Sequence, residues 1–156
     1  MQSILKRSLI FFTLLLAGLL LYMYWYSIKA ERHDETAIPY LESVLPKLAS
    51  WQYAQLEPLL SPSAQAAFAN AKVRAAYQAF ARLGQLQSME RPEFMGEHSG
   101  NSDVLGDIEL IAYQVPLQFD TGPALIKINL ATDGKFYYIE HFSLQSEIFT
   151  DSASGN

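Results

Sequence analysis

The sequence predicts an α+β protein: an N-terminal transmembrane helix, then two or three helices packed on a four-stranded antiparallel sheet. Three patterns indicate this fold class. Residues 8–28 form an uncharged run, apolar residues recur at helical spacing up to Gly84, and a period of two follows Gly84. The predicted segments are a short cytoplasmic tail (1–7), a transmembrane helix (8–28), a charged linker (29–37), an extracytoplasmic domain (38–148) and a disordered tail (149–156).

The composition narrows the possible functions. The chain has no cysteine, which excludes disulfides, thiol catalysis and cysteine-ligated zinc. Residues 29–89 hold six Lys/Arg and five Asp/Glu, whereas residues 90–156 hold three Lys/Arg and eleven Asp/Glu. Because acidic surfaces repel phosphate backbones, we expect no nucleic-acid partner.

The N-terminal run is long enough to cross a bilayer. A helix over its 21 residues would measure about 30 Å, the thickness of the hydrocarbon layer. The tail before it carries only positive charge, on Lys6 and Arg7, and a short basic tail stays in the cytoplasm. We therefore expect a single-pass anchor in a bacterial inner membrane, with the lipid bilayer as a partner of residues 8–28 and the domain in the periplasm.

A cleaved signal peptide is the alternative to an anchor. The leucine-rich core, Leu9–Leu21, has the length of a signal-peptide apolar region, about 7–15 residues. Signal peptidase requires small residues after that core, but aromatic residues occupy the place, and these favour the membrane–water interface. The predicted interfacial residues are Tyr22, Tyr24, Trp25 and Tyr26. They favour an anchor that is retained.

The helices of the domain follow from apolar spacing and capping signals. The first begins near Ile38, and Pro46 should kink or restart it. Ser61 followed by Pro62 predicts the start of a further helix, which Gly84 ends. One apolar stripe marks the buried face of this helix: Ala69, Val73, Ala76, Tyr77, Phe80 and Leu83.

The strands follow from alternation and turn residues. Residues 85–94 predict a first strand that Pro92 breaks or confines to an edge, and the glycine-rich residues 96–107 predict a loop. Three further strands are predicted in "IELIAYQVPLQF", "ALIKINLAT" and "KFYYIEHFSLQ". Asp133-Gly134 predicts a tight turn between the last two, and short turns make consecutive strands antiparallel.

Glu140 is the one candidate catalytic residue. Strand alternation would point one set of side chains to the same face: Phe136, Tyr138, Glu140, Phe142 and Leu144. If that face were the core, burial among aromatic rings would raise the pKa of Glu140, as a general acid or base requires. The alternative is a half-exposed glutamate near a strand end.

Other side chains are candidates for a pocket or a partner surface. We select Phe80, Tyr113, Ile126, Ile128, Tyr138 and Phe142, although core and sheet positions are the alternative for the tyrosines. His33 and His98 fall in a charged linker and a glycine-rich loop, without a second ligand at metal-binding spacing. We therefore expect neither a metal nor a cofactor.

The segments "FARLGQLQSMERPEF" and "YQVPLQFDTGPALIKINLATDGKFYYIEHFSLQ" resemble small bacterial members of the nuclear transport factor 2-like (cystatin-like) superfamily, over roughly residues 38–148. The resemblance implies a curved, cone-shaped sheet around an apolar cavity. Some members are isomerases or dehydratases, others bind ligands or proteins, and some inner-membrane components of type IV secretion machines carry such a domain behind one helix. No catalytic motif of the superfamily matches this chain, so no catalytic residue is carried over.

These observations lead to two functional hypotheses. The first is a membrane-anchored, extracytoplasmic binding or assembly module without enzymatic activity, which engages an envelope protein or a small apolar ligand. The alternative is a small pocket enzyme of the isomerase or dehydratase type that uses Glu140.

Overall fold

The computed structural model describes the backbone of residues 2–102 and 104–151, and the side chains of residues 11–149 except 26, 28–30, 32 and 103. The chain divides into two compact units, Met1–Glu35 and Thr36–Asn156. It has the predicted α+β fold class, with helices before an antiparallel sheet and a short helix, Glu147–Asp151, after it.

The first helix, α1, is a continuous element from Gln2 to Leu48. Every described side chain from Phe11 to Trp25 is exposed. Among the residues that the structure describes, no helix is long and apolar enough to cross a membrane, so the transmembrane prediction for residues 8–28 gains no support there.

The charged segment 29–37 lies within α1, although the sequence predicted a linker there. Pro39 and Pro46 also lie inside this helix, so Pro46 does not end it. A proline inside a helix removes one backbone hydrogen bond, and the glutamate and alanine residues of the segment 29–37 are good helix formers. Their helix propensity explains why this charged segment is helical and does not form a linker.

Trp51 follows the end of α1 in a left-handed conformation, with φ of +59°. This conformation is rare for a bulky side chain, so its surroundings must maintain it. The indole packs on Phe119, with 5.7 Å between ring centroids, and its Nε1–H donates to the Gly84 carbonyl at 3.1 Å. Trp51 thus joins the end of α1 to the sheet.

Three short helices follow: α2 (Tyr53–Leu56), α3 (Pro62–Phe68) and α4 (Ala71–Ala79), with 3₁₀ turns at Glu57–Leu59 and Phe80–Leu83. The sequence predicted a single helix between Ser61 and Gly84. Ser61 does cap α3, because its side chain accepts a hydrogen bond from the Ala64 N–H at 3.1 Å. However, Asn70 starts a second helix by accepting from the Lys72 N–H at 2.9 Å. The predicted apolar stripe is consequently interrupted. Ala69 is the C-cap of α3, the next three members lie on α4 and the last two in the following 3₁₀ turn, and Ala69 and Ala76 are exposed.

The sheet contains five strands: β1 (Leu86–Met89), β2 (Glu93–Ser102), β3 (Gly106–Phe119), β4 (Gly122–Thr132) and β5 (Tyr137–Ser146). All strand pairs are antiparallel, in the order β1-β3-β4-β5, and β2 also pairs with β3. Because β4 occupies the other edge of β3, β1 and β2 lie end to end on the same edge. The predicted break at Pro92 is confirmed. Since β1 and β2 share one edge of β3, the five strands occupy four positions across the sheet.

The predicted loop at residues 96–107 was wrong. Most of it belongs to β2, which pairs with β3 from Glu93 opposite Gln114 to Ser102 opposite Gly106. Backbone hydrogen bonds to β3 stabilise this strand, although its glycines have no side chain and its serines only a small one to contribute to packing. Asp133 and Gly134 do lie in the turn between β4 and β5, but the turn is a four-residue loop, 133–136, because Thr132 pairs with Tyr137. The Asp133 Oδ1 accepts hydrogen bonds from the N–H groups of Lys135 and Phe136 in this loop.

One face of the sheet and the helices of Thr36–Asn156 form the core. On β4 the alternate residues Ala124, Ile126, Ile128 and Leu130 are all buried. On β3 the buried residues alternate in the same way: Ile111, Tyr113, Val115, Leu117 and Phe119. Leu41, Leu45 and Leu48 of α1 belong to the same buried cluster.

Candidate binding groove

A β-bulge in β5 determines where Glu140 lies. His141 pairs with Asn129 and Ile139 pairs with Leu130, so Glu140 has no partner residue on β4. A bulge of one residue moves the following side chains to the other face of the strand. The strict alternation expected for this strand therefore does not hold, because Ile139 and Phe142 pack on the core, whereas Glu140 is half-buried and lies outside the core cluster.

Glu140 is instead held at the start of α3. The Ser63 hydroxyl donates a hydrogen bond to Glu140 Oε1, and the Ser61 and Ser63 hydroxyl oxygens are 2.9 Å apart. In addition, the Ser61 N–H donates to the Ile139 carbonyl at 2.9 Å. The half-buried carboxylate thus connects β5 to the first turn of α3.

Beside this connection lies an apolar groove of about 490 Å³ between α3, α4 and β5. Its apolar lining consists of Leu60, Ala64, Ala67, Phe68, Val73, Ala76, Tyr77, Phe80, Ile139, Phe142 and Leu144. Three polar residues complete the lining: Glu140, His141 and Ser143. Ala67 on α3 and Ala76 on α4 are exposed, and their small side chains leave the groove open between the helices.

Three aromatic rings form a packed floor under the groove. The Phe68 ring lies 5.8 Å from Tyr77 and 6.4 Å from Phe142 between centroids, and Tyr77 lies 6.2 Å from Phe142. The Tyr77 hydroxyl donates to the Leu48 carbonyl at 2.7 Å, and burial raises the pKa of Tyr77 to about 12. This hydrogen bond fixes the orientation of the tyrosine, so the floor of the groove is preformed.

The long side of the groove is the edge of a strand. Six consecutive residues of β5, Ile139–Leu144, line it. β5 is the last strand in the order β1-β3-β4-β5, so its edge away from β4 is the side that consecutive residues present to one hollow. In the part of the chain that the structure describes, the backbone hydrogen bond that reaches this edge is the one from Ser61 to Ile139.

A second, more polar hollow of about 380 Å³ adjoins the groove at Glu140. It lies between the start of α3 and the turn joining β2 to β3, where Val104 is 71% exposed. Glu140 is the residue that both linings share. A ligand in either hollow would therefore reach its carboxylate.

The predicted site residues fall into three places. Phe80 and Phe142 line the groove, whereas Tyr113, Ile126 and Ile128 are fully buried in the core. Tyr138 is half-buried opposite Ala131 and does not line the groove. The sequence reasoning missed Phe68 and Ala67, which lie on α3; the cap at Asn70 was the signal that could have separated that helix from α4.

The remaining predicted positions lie apart from the groove. Tyr22, Tyr24 and Trp25 are exposed on α1, and the side chain of Tyr26 lies outside the described residues. His33, in the segment predicted to be a charged linker, is buried, and His98 is exposed on β2. Within the described residues there is no group of three His, Cys, Asp or Glu side chains that could hold a metal ion.

Comparisons of the chain with protein-family models, curated proteins and solved structures found no match.

Proposed function

We propose that this chain is a membrane-anchored, extracytoplasmic binding module whose groove receives a small apolar ligand or a hydrophobic segment of an envelope protein. The observation that carries the proposal is the groove between α3, α4 and β5. Its volume of about 490 Å³ and its apolar lining are typical of ligand sites, which usually enclose about 300–1,000 Å³. A few polar groups at its wall, on Glu140, His141 and Ser143, would orient the occupant.

The anchor in this proposal rests on the uncharged sequence of residues 8–28. Phe11, Leu14 and Leu21 are each more than 60% exposed, and no described side chain from Phe11 to Trp25 is buried. A helix that is apolar on all sides requires an apolar environment. A bilayer supplies one, with Tyr22, Tyr24, Trp25 and Tyr26 at its outer interface and the basic tail in the bacterial cytoplasm.

The resemblance to the nuclear transport factor 2-like superfamily belongs to the same proposal. Helices packed on one face of an antiparallel sheet with four strand positions are consistent with it. In such a domain the groove would correspond to the apolar cavity that members use for binding. Tethering would raise the local concentration of the module near a membrane partner.

An isomerase or dehydratase that uses Glu140 is the second candidate, because this carboxylate lines the groove. General acid–base catalysis requires a carboxylate within hydrogen-bond reach of the substrate. Against this role, Glu140 is half-buried and accepts a hydrogen bond from Ser63, an arrangement that ties β5 to α3. A structural explanation of Glu140 therefore exists without catalysis.

Co-purification tests the proposal. The full-length protein is extracted from its native membrane, and bound proteins and small apolar compounds are identified by mass spectrometry. The Ala76→Phe variant fills the groove, and Ala79→Phe is its matched control, because both alanines are exposed on α4 but only Ala76 lines the groove. We expect a specific occupant that Ala76→Phe loses and Ala79→Phe retains. Equal recovery from all three proteins, or no specific occupant, would refute the groove as a binding site.

A further inference from the structure

We infer that the occupant of the groove is an extended peptide segment of a partner protein, which adds a strand to the outer edge of β5 and places a lysine or arginine beside Glu140. This inference rests on the proposed function, since it specifies what the groove binds.

The two edges of β5 differ in how far they are paired. On one side β5 pairs with β4 along its whole length, from Tyr137 to Ser146. On the other side, Leu60 pairs with Ile139 as a single parallel bridge, closed by the hydrogen bond from the Ser61 N–H. Leu60 and Ser61 therefore form the beginning of a strand on this edge.

The segment that contains Leu60 and Ser61 leaves the edge of β5 at Pro62. Pro62 starts α3 directly after Ser61, so the chain turns away from β5 and the edge beyond Ile139 adjoins the groove. Six residues of strand measure about 20 Å, which accommodates a partner strand of five or six residues. A peptide there would continue the pairing that Leu60 begins.

The backbone groups at the edge of β5 favour a peptide over an apolar compound. An apolar compound in the groove would remove water from the N–H and C=O groups of the β5 edge without replacing their hydrogen bonds, which is unfavourable. A peptide backbone replaces them. Alternate side chains of that peptide would meet the apolar wall formed by Phe68, Val73 and Phe80.

Charge selects one further feature of the peptide. Ser63 donates to Glu140 Oε1, and within the described residues no other hydrogen bond to this carboxylate is seen, so Oε2 can accept from a ligand. The region from Glu90 to Asn156, which includes β5, holds eleven Asp/Glu and three Lys/Arg. A cationic side chain facing Glu140 complements both.

A displayed library of random twelve-residue peptides tests the inference. The full-length protein is reconstituted in phosphatidylcholine nanodiscs, and binders to empty nanodiscs are removed first. We expect selected peptides with alternating apolar residues and a lysine or arginine. Their affinity should fall about tenfold or more in Ala76→Phe, stay unchanged in Ala79→Phe, and fall about two- to fivefold in Glu140→Gln.

Backbone methylation separates strand addition from other binding. Because alternate N–H groups of a strand face opposite edges, each selected peptide is N-methylated on one alternate set of residues or on the other. We expect the set that blocks the N–H groups facing β5 to abolish binding and the other set to retain it. Selection of no peptide that distinguishes wild type from Ala76→Phe, or equal binding of the methylated peptides, would overturn the inference. If the groove nevertheless retains a small apolar compound from native membranes, the proposed function stands and only the peptide is excluded.

Discussion

Replacement of Gly84 by alanine is the change that should most clearly affect the connection between helices and sheet. Gly84 has φ of +79° and ψ of −148°, close to a region that only glycine adopts readily. A Cβ at this position would lie 2.8 Å from Asp120 Oδ2 and 3.0 Å from Asp120 Cβ. Asp120 would have to move, although its Oδ2 accepts a hydrogen bond from the Gln85 N–H at 2.8 Å.

The expected cost has two parts. The backbone conformation costs an alanine about 1–3 kcal/mol. Displacing Asp120 removes a hydrogen bond that is worth about 1 kcal/mol, since this carboxylate is exposed. The sum, about 2–4 kcal/mol, is a large fraction of the stability of an ordinary domain, about 5–15 kcal/mol.

Urea unfolding of the full-length protein measures this cost. Trp51 reports on the site directly, because its Nε1–H donates to the Gly84 carbonyl, and a Trp25→Phe background removes the other tryptophan. With an m-value of about 2 kcal/mol per molar urea, the midpoint should fall by about 1–2 M.

A second glycine supplies the control. Gly134 has φ of +85°, and a Cβ there would meet no atom within 4 Å, so Gly134→Ala isolates the conformational cost. Gly84→Ala should destabilise the protein by at least about 1 kcal/mol more than Gly134→Ala. Equal losses would contradict the role assigned to the contact with Asp120.

Three further predictions concern the groove and its supports. Ser61→Ala should lower the free energy of unfolding by about 1 kcal/mol through loss of the α3 cap, measured in urea, whereas Ser63→Ala should cost less because it retains that cap. Burial raises the pKa of Tyr77 to about 12, so the stability that the neutral hydroxyl contributes is complete below pH 10, near its ordinary pKa, and is lost as pH rises through 12. Tyr77→Phe should reduce this alkaline loss when the free energy of unfolding is measured against pH. A dependence on pH identical to that of the wild type would contradict this role of Tyr77. Glu140→Gln should leave the circular dichroism spectrum unchanged; if the native groove occupant is chemically converted by the wild type and not by this variant, Glu140 is catalytic and the non-enzymatic proposal fails.

The sequence predicted those parts of the fold that local patterns encode. Alternation identified β3, β4 and β5, and Ser61 with Pro62 identified the start of α3. It did not identify β2, because its glycine and serine residues have low strand propensity and the strand is stabilised by pairing with β3.

The groove was less accessible to sequence reasoning. It depends on the interruption at Asn70, which separates α3 from α4, and on the bulge at Glu140. The bulge does leave a trace, since the buried Ile139 and the core-packed Phe142 are three residues apart rather than two. A strict period of two therefore grouped Glu140 with Phe142, although only Phe142 packs against the core.

Site-specific photocrosslinking tests the central claim most directly. Benzoylphenylalanine replaces Phe80 or Phe136 in the full-length protein, so an aromatic side chain is already present at both positions, and cells are irradiated before extraction. Because Phe80 lines the groove and the exposed Phe136 does not, we predict an adduct with a specific occupant at position 80 and none at position 136. Adducts of equal yield at both positions, or none at position 80, would contradict the account.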